Sequence, residues 1–171
     1  DHRPDAELAQ FLGHADQRIR LLAQFELVER SSIEQLLRAS SSKNRMARIH
    51  AIWGLGQLGR KSESTSIQRL IELVSDSDSE IRVQASKMLG DLPQGSFDAK
   101  ILVPLLAASE PRVRFQAALS LGRQKEPSAF ETVIRMIEAN DGEDHYLRHA
   151  GIFALTAIGE LTNLAQHRSE A

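Results

Sequence analysis

The segment SEPRVRFQAALSLG, at positions 109–122, recurs in degraded form at four other places in this 171-residue chain. In each copy an arginine is followed by a small residue three positions later and by a leucine seven positions later. The interval between successive copies is nearly constant, and their arginines are Arg20, Arg48, Arg82, Arg114 and Arg148. A period of roughly 30 residues predicts a solenoid, in which each repeat buries its apolar face against its neighbours.

Each arginine lies in an apolar run with helical spacing, and a shorter amphipathic run precedes it. The sequence therefore predicts an all-α chain, an α-α superhelix of about five antiparallel helix pairs. Caps and breakers place the pairs at 5–12 with 17–30, 33–39 with 45–58, 66–74 with 80–92, 99–107 with 111–123, and 127–139 with 144–158. Pro104 predicts a kink in its helix, because it removes one helical hydrogen bond.

The repeats follow one another with short connections, so we expect a single continuous domain over 1–171. Its repeats are predicted at about 4–30, 32–60, 64–92, 97–123 and 127–160. The last repeat presents a bare apolar strip where a terminal repeat normally has a polar face. We therefore expect the chain to be a fragment of a longer protein.

An acid lies four positions before the arginine in four of the five copies, and the second copy has Asn44 instead. The four acids are Asp16, Asp78, Glu110 and Asp144. At this spacing the acid caps a helix and the arginine lies in its first turns, where the helix dipole disfavours a cation by about 0.3–1 kcal/mol. We predict a structural ladder, in which each arginine bonds the acid or loop carbonyls of its own or the adjacent repeat. The alternative is an arginine stripe that binds phosphates or carboxylates.

The pattern acid-x-x-Val-Arg-x-x-Ala-x-x-x-Leu-Gly resembles the HEAT repeat, in the short bacterial form known as the phycocyanobilin-lyase-like HEAT repeat. The resemblance covers positions 5–159, with departures at Val28 and Thr156, where three other copies have glycine. It implies that the second helix of each pair lines a concave groove, which would contain residues two, six and nine positions after each arginine. The candidate binding residues are His50, Gln57, Gln84, Met88, Asp91, Gln116, Ser120 and Arg123.

The middle of this predicted groove is polar and nearly uncharged, which suits a peptide better than a phosphate backbone. We therefore expect a non-enzymatic scaffold that binds a protein or peptide segment, or flanking domains of the same chain. The alternatives are a HEAT-like enzyme of the DNA glycosylase or bilin lyase type. A glycosylase needs a basic groove with aromatic side chains, and no motif marks a nucleophile or an acid that would bind a tetrapyrrole.

A narrower resemblance concerns the strings DQRIRLLAQFELVER, ARIHAIWGLGQLGR, PRVRFQAALSLGR and LRHAGIFAL. In this order they resemble the HEAT segment of large bacterial envelope proteins that join a propeller, HEAT repeats and a c-type haem domain. This resemblance implies an accessory domain of a periplasmic or cell-envelope redox protein. Without it we expect a cytoplasmic protein, and composition alone leaves the compartment unknown.

Composition restricts the binding partners, membrane segments and metal sites that this chain can have. The net charge of −2 gives no general attraction to nucleic acid, and no run of about 18 apolar residues predicts a membrane span. The absence of cysteine excludes disulfides, thiolate metal sites and haem attachment through this chain. His145 and His149 share a helix face and are weak candidates for a metal site, but no HExxH motif is present. We therefore expect neither a cofactor nor a metal.

Overall fold

The computed structural model describes residues 2–159, and every structural statement below concerns those residues. Nine α-helices and two 3₁₀ segments make up this part of the chain, which contains no strand. The α-helices are α1 (Asp5–Phe11), α2 (Gln17–Glu29), α3 (Ile33–Ala39), α4 (Arg45–Gly59), α5 (Ser64–Leu73), α6 (Ser79–Gly90), α7 (Pro111–Gln124), α8 (Phe130–Asn140) and α9 (His145–Ile158). The 3₁₀ segments are Ala99–Ala107, which precedes α7, and Pro127–Ala129, which leads into α8.

In four of the five repeats, the second helix begins where a side chain caps it. Asp16, Asn44, Asp78 and Asp144 each accept at least one hydrogen bond from a backbone amide in the first turn of α2, α4, α6 and α9. Helix α7 begins differently, since Pro111 occupies its first position and needs no amide partner there. These caps fix the starts of the helices that carry the repeated arginines.

The fold is an α-α superhelix of antiparallel helix pairs, and the described residues fall into two compact units that divide after Leu92. In the first unit α1 pairs with α2, α3 with α4, and α5 with α6, while α4 packs between α2 and α6. In the second unit the segment Ala99–Ala107 pairs with α7, α8 pairs with α9, and α7 packs on α9. The prediction of one continuous domain over 1–171 stays a prediction, and position 160 of its fifth repeat lies outside the described residues.

Apolar positions of the repeat form the core. The leucines seven positions after the arginines are all buried, and they are Leu27, Leu55, Leu89, Leu121 and Leu155. The small residues three positions after the arginines are buried as well, which lets neighbouring helices approach closely. Within each unit, neighbouring repeats therefore stabilise one another through apolar burial.

The structure differs from the prediction at Ala99–Ala107, where the sequence predicts a kinked α-helix. The whole segment forms a 3₁₀ helix around Pro104. Proline lacks an amide hydrogen, and in an α-helix its ring would clash with the carbonyl of Lys100, four positions earlier. The predicted helix at 127–139 likewise begins with a 3₁₀ turn, Pro127–Ala129, before α8.

Gly122 lies where α7 packs closely against α9. A Cβ atom at this position would lie 2.9 Å from the Cα of Ala154 and 2.9 Å from Cε1 of Phe153. At Gly151 a Cβ would instead meet the Ile137 side chain, at 2.6 Å from its Cγ1. The first neighbour is backbone and the second is side chain, so the two glycines differ in how much substitution they tolerate.

Candidate functional site

Three of the repeated arginines form the same contact with the loop that precedes their helix. In each case Nη1 donates to the backbone carbonyls six and five positions earlier, at 2.7–3.2 Å. The pairs are Arg20 with His14 and Ala15, Arg82 with Asp76 and Ser77, and Arg114 with Ala108 and Ser109. Two of the acids four positions earlier, Asp16 and Asp78, cap their helices and pair with Arg18 and Arg45.

Arg48 instead connects two repeats. Its Nε donates to the carbonyl of Ser40, and its Nη2 lies 2.5 Å from Oδ2 of Asp76 in the following repeat. Both side chains are only 17% exposed, so solvent screens this pair weakly. Arg148 is exposed, and its side chain makes no hydrogen bond to residues 2–159. Three of these arginines thus contact the loop of their own repeat, and both Arg20 and Arg48 also contact a neighbouring repeat.

We expect Asp76→Asn to lower the free energy of unfolding by about 1–2 kcal/mol at pH 7. Burial alone would raise the pKa of Asp76, but hydrogen bonds from Arg48 and the Asp78 amide outweigh it and hold the pKa below its ordinary value. When the pKa of a carboxyl group is lower in the folded state than in the unfolded state, the group stabilises the protein at pH values above the unfolded-state pKa. This contribution is lost as the pH falls through the folded-state pKa. Urea unfolding at pH 7 and pH 3 checks this, with exposed Asp141→Asn as control. An equal loss at both pH values would contradict it.

The predicted groove residues do not form an exposed surface. Five of the eight are buried: His50, Gln84, Met88, Gln116 and Ser120. After Arg48, Arg82, Arg114 and Arg148, positions two and six are buried, whereas Leu22, two positions after Arg20, is exposed. Second helices pack closely in the first unit, where a Cβ at Gly56 would overlap the Sδ of Met88. Gln57 and Asp91 are half-buried, and Arg123 is exposed. Their role in binding stays a prediction.

His50 lies at the centre of a buried polar cluster in the first unit. Its Nδ1 lies 2.8 Å from Oε1 of Gln24 and donates to it, while its Nε2 accepts from Nε of Arg20 at 3.0 Å. The Trp53 ring packs edge-on at 4.8 Å between centroids. Burial, together with the positive charge of Arg20, lowers the pKa of His50 to about 4. His50 is therefore neutral near pH 7 and both ring nitrogens are occupied, which leaves none for proton transfer or metal binding.

Gln84 extends the polar contacts between α4 and α6. Its Oε1 accepts from Nε1 of Trp53 at 2.8 Å, and its Nε2 donates to Oε1 of Glu80 at 2.7 Å. In the second unit, Gln116 donates through Nε2 to Oγ of Ser120 at 3.1 Å. These amides therefore bond within the protein, which is what buried polar side chains require.

The second unit contains a cleft, and Arg114 is the one residue of its lining that the sequence analysis names as a candidate. We name it the Arg114 cleft; it has a volume of about 470 Å³ and lies between Ala99–Ala107, α7, α8 and α9. Its lining residues are Leu106, Ala107, Ala108, Arg114, Thr132, Arg135, Met136, Ala139, Asn140 and Leu147. Half of the lining residues lie on α8, the first helix of the last pair. The repeated motif covers only second helices and therefore gives no information on α8.

The charge of the Arg114 cleft is positive, because two arginines and no carboxylate line it. Nη1 of Arg114 bonds the loop carbonyls, and Nη2 of Arg135 donates to Oγ1 of Thr132 at 3.1 Å. The Asn140 side chain is held by the backbone of Asp144 through two hydrogen bonds. The cleft therefore suits an apolar molecule that carries carboxylates.

The predicted histidine pair does not converge with a third ligand. His145 and His149 are exposed on α9, and the Asp144 carboxylate accepts from the amides of Tyr146 and Leu147 as the helix cap. Within residues 2–159, no group of three or more histidine, aspartate or glutamate side chains is arranged to hold a metal ion. In the same part of the chain, every helix is too short or too polar to cross a bilayer.

A family model of HEAT repeats matches residues 6–86 and 33–101, which together span more than half of the chain. The chain belongs to the HEAT-repeat family. Proteins in two solved complexes share the helical solenoid fold of this chain at low sequence identity. A chain in the complex of CpcE and CpcF of phycocyanin lyase from Nostoc sp. PCC7120 aligns at a TM-score of 0.72 with 19% identity, over 88% of this chain and 96% of that one. A designed armadillo repeat protein in complex with the peptide (KR)4 aligns at a TM-score of 0.61 with 13% identity, over 89% and 80%.

One curated relative of this HEAT protein is the bilin biosynthesis protein MpeU of Synechococcus sp. (strain WH8020). The two are 34% identical over 106 residues, which is 61% of this chain and 36% of the relative. This HEAT chain therefore matches about a third of the length of that relative.

That similarity overturns two expectations from the sequence. The main hypothesis of a non-enzymatic scaffold is wrong, and so is the expectation that the chain is not an enzyme. The lack of a short tetrapyrrole motif does not argue against a bilin lyase. The arginines and apolar walls of the Arg114 cleft come from separate helices and meet only on folding, so no short motif could mark them.

Proposed function

We propose that this chain is the HEAT module of a bilin lyase, which binds an open-chain tetrapyrrole and presents it to an acceptor protein. The observation that carries the proposal is the 34% identity to a bilin biosynthesis protein over 106 residues. The likeness in fold to a chain of the phycocyanin lyase complex agrees with it. The Arg114 cleft supports the proposal independently, because it is apolar and positively charged while a bilin is apolar and carries two propionates.

The reaction in this proposal is the addition of a thiol of the acceptor protein to an exocyclic double bond of the bilin. The S–H bond breaks, a C–S bond forms at one carbon, and the proton goes to the other carbon, so no oxidant or reductant is needed. This chain contains no cysteine, so the thiol belongs to the acceptor protein. The HEAT module contributes by binding the bilin and orienting its reactive end.

The module also needs a protein partner in this proposal, because the acceptor thiol lies on another polypeptide. Repeat arrays commonly provide extended surfaces for such partners. The narrower resemblance to envelope redox proteins remains a prediction from the sequence alone.

Titration with phycocyanobilin tests the proposal at the binding step, which this chain should perform even though it spans only part of its relative. We expect the bilin to gain circular dichroism in its visible band, because a folded site fixes one twist of the tetrapyrrole. The signal should saturate at one bilin per chain, with a Kd on the order of micromolar. The same chain unfolded in urea is the control. If no dichroism develops at a chain concentration of about 100 µM, the proposal is wrong.

A further inference from the structure

We propose that the Arg114 cleft is the bilin site of this chain and that Arg114 and Arg135 pair with the propionate carboxylates. The identity of the ligand rests on the proposed function above. The position of the site and its need for negatively charged groups are inferred from a comparison of the second and third repeats with the fourth and fifth, whose arginines are equally spaced.

The second and third repeats have the same spacing as the fourth and fifth, because the interval from Arg48 to Arg82 equals the interval from Arg114 to Arg148. Arg48 therefore corresponds to Arg114. Arg69 and Arg135 also correspond, because each precedes the arginine of its own repeat by the same number of positions. The same pair of cations thus occurs once in each unit, at equivalent positions.

In the first unit both cations have partners within the chain. Arg48 pairs with the carboxylate of Asp76. Arg69 donates from Nε to Oγ of Ser40 at 2.9 Å and from Nη2 to Oγ of Ser41 at 2.8 Å. Its Nη1 donates to Oε2 of Glu72 at 2.7 Å. Two side-chain hydroxyls and two carboxylates therefore satisfy this pair.

In the second unit the corresponding positions hold residues that cannot replace three of those partners. The equivalent of Asp76 is Gly142, and the equivalents of Ser40 and Ser41 are Leu106 and Ala107. Leu106 and Ala107 line the cleft themselves. Within residues 2–159 the Arg114 side chain bonds only the two loop carbonyls, and the Arg135 side chain bonds only Thr132. Both guanidinium groups therefore keep donors for an external carboxylate.

The shape of the cleft fits the rest of the ligand. Leu106, Met136 and Leu147 are buried and provide an apolar wall, and the volume of about 470 Å³ lies in the range of small-molecule sites. A fatty acid offers one carboxylate for two arginines, whereas a bilin offers two on one elongated apolar body. The charge count therefore favours the bilin, and its carboxylates take the place that Asp76 has beside Arg48.

The experiment compares Kd values for phycocyanobilin among variants of the whole chain. We expect Arg135→Gln to weaken binding about tenfold, since it removes one charge-assisted contact with a carboxylate. Arg135 is exposed, so its loss should leave the fold intact. Ala107→Asp should weaken binding to a similar extent, because it places a carboxylate of the protein beside the same arginines. Arg69→Gln is the matched control, as its arginine is satisfied within the first unit, and it should leave Kd unchanged.

The dimethyl ester of the same bilin and a long-chain fatty acid distinguish the ligand classes. We expect the ester to bind about as weakly to the wild type as the free acid binds to Arg135→Gln, and the fatty acid not to displace the bilin. If the wild type binds bilin while Arg135→Gln and Ala107→Asp match it, the cleft is excluded and the proposed function stands. Equal binding of ester and acid, or an equal loss in Arg69→Gln, would also overturn the site. If the wild type binds no bilin, both proposals fall.

Discussion

Gly122→Val is expected to lower the free energy of unfolding by about 3 kcal/mol. The new Cβ would lie 2.9 Å from the Cα of Ala154, and a backbone atom in the middle of α9 cannot move away without shifting the helix. The Phe153 ring, which meets the same Cβ, can rotate toward solvent, but this relieves only part of the overlap. The cost is therefore a separation of α7 from α9, the helices that pack across the second unit.

Gly151→Ala is the matched control for this prediction. Its new Cβ would meet the Ile137 side chain, which can change rotamer, and alanine gains about 1 kcal/mol of helix propensity over glycine. We therefore expect its free energy of unfolding to stay within about 1 kcal/mol of wild type. Urea unfolding followed by far-ultraviolet circular dichroism measures both variants. Equal losses in the two variants would show that α7 and α9 do not approach as closely as Gly122 indicates.

His50→Ala is expected to lower the free energy of unfolding by about 3 kcal/mol at pH 7. The substitution leaves a cavity at a position that is 1% exposed, and it removes the partner of the Gln24 carbonyl oxygen and of Nε of Arg20. A buried polar group without a partner costs more than the hydrogen bond contributed. His50→Gln should lose less, since an amide can both donate and accept at the same position.

The same residue gives the wild type a distinct pH dependence. Burial and Arg20 lower the pKa of His50 to about 4 in the folded state, while an unfolded histidine titrates near about 6.5. Its contribution is complete above about pH 6.5 and is lost as the pH falls toward 4, about 3 kcal/mol in all. In His50→Gln this loss should disappear, whereas the exposed control His149→Gln should keep it. Urea unfolding at half-unit pH steps checks the slope, and a slope unchanged in His50→Gln would contradict the assignment.

The boundaries of most helices could be predicted from the sequence because their signals are local. The α3 helix has the predicted bounds, and α2 ends one position before the predicted end, since a capping side chain and the turn that follows depend on few residues. The 3₁₀ helix Ala99–Ala107 could not be predicted in this way. Pro104 indicates that an α-helix is disturbed, but packing on α7 decides between a kink and a change of helix type.

The surface was harder to predict than the core. The register of Leu55 and Leu121 follows from helical spacing, and both are buried. The register also predicts that Gln84 and Gln116 face a groove, but how far neighbouring second helices cover them depends on the distance between those helices. That distance follows from contacts such as Gly56 with Met88, which belong to different repeats.

The Arg114 cleft was missed for a related reason. Its cations come from two helices of different repeats, and the motif on the second helices contains only one of them. Only a comparison of whole repeats shows that Arg135 lacks the serines that Arg69 bonds. The contacts that decide which arginine keeps free donors are therefore visible only in the folded chain.

The 3₁₀ helix Ala99–Ala107 has a consequence for how such a protein can change. At about 2.0 Å per residue its nine residues extend about 18 Å, whereas an α-helix of the same length extends about 13.5 Å. The first helix of the fourth repeat is thus longer than an α-helix with the same number of residues, and no insertion is needed. An insertion in this segment would lengthen the interval from Arg82 to Arg114, while a substitution to proline keeps that interval. Evolution of this solenoid can therefore reshape a binding cleft through helix type while the repeat length stays constant.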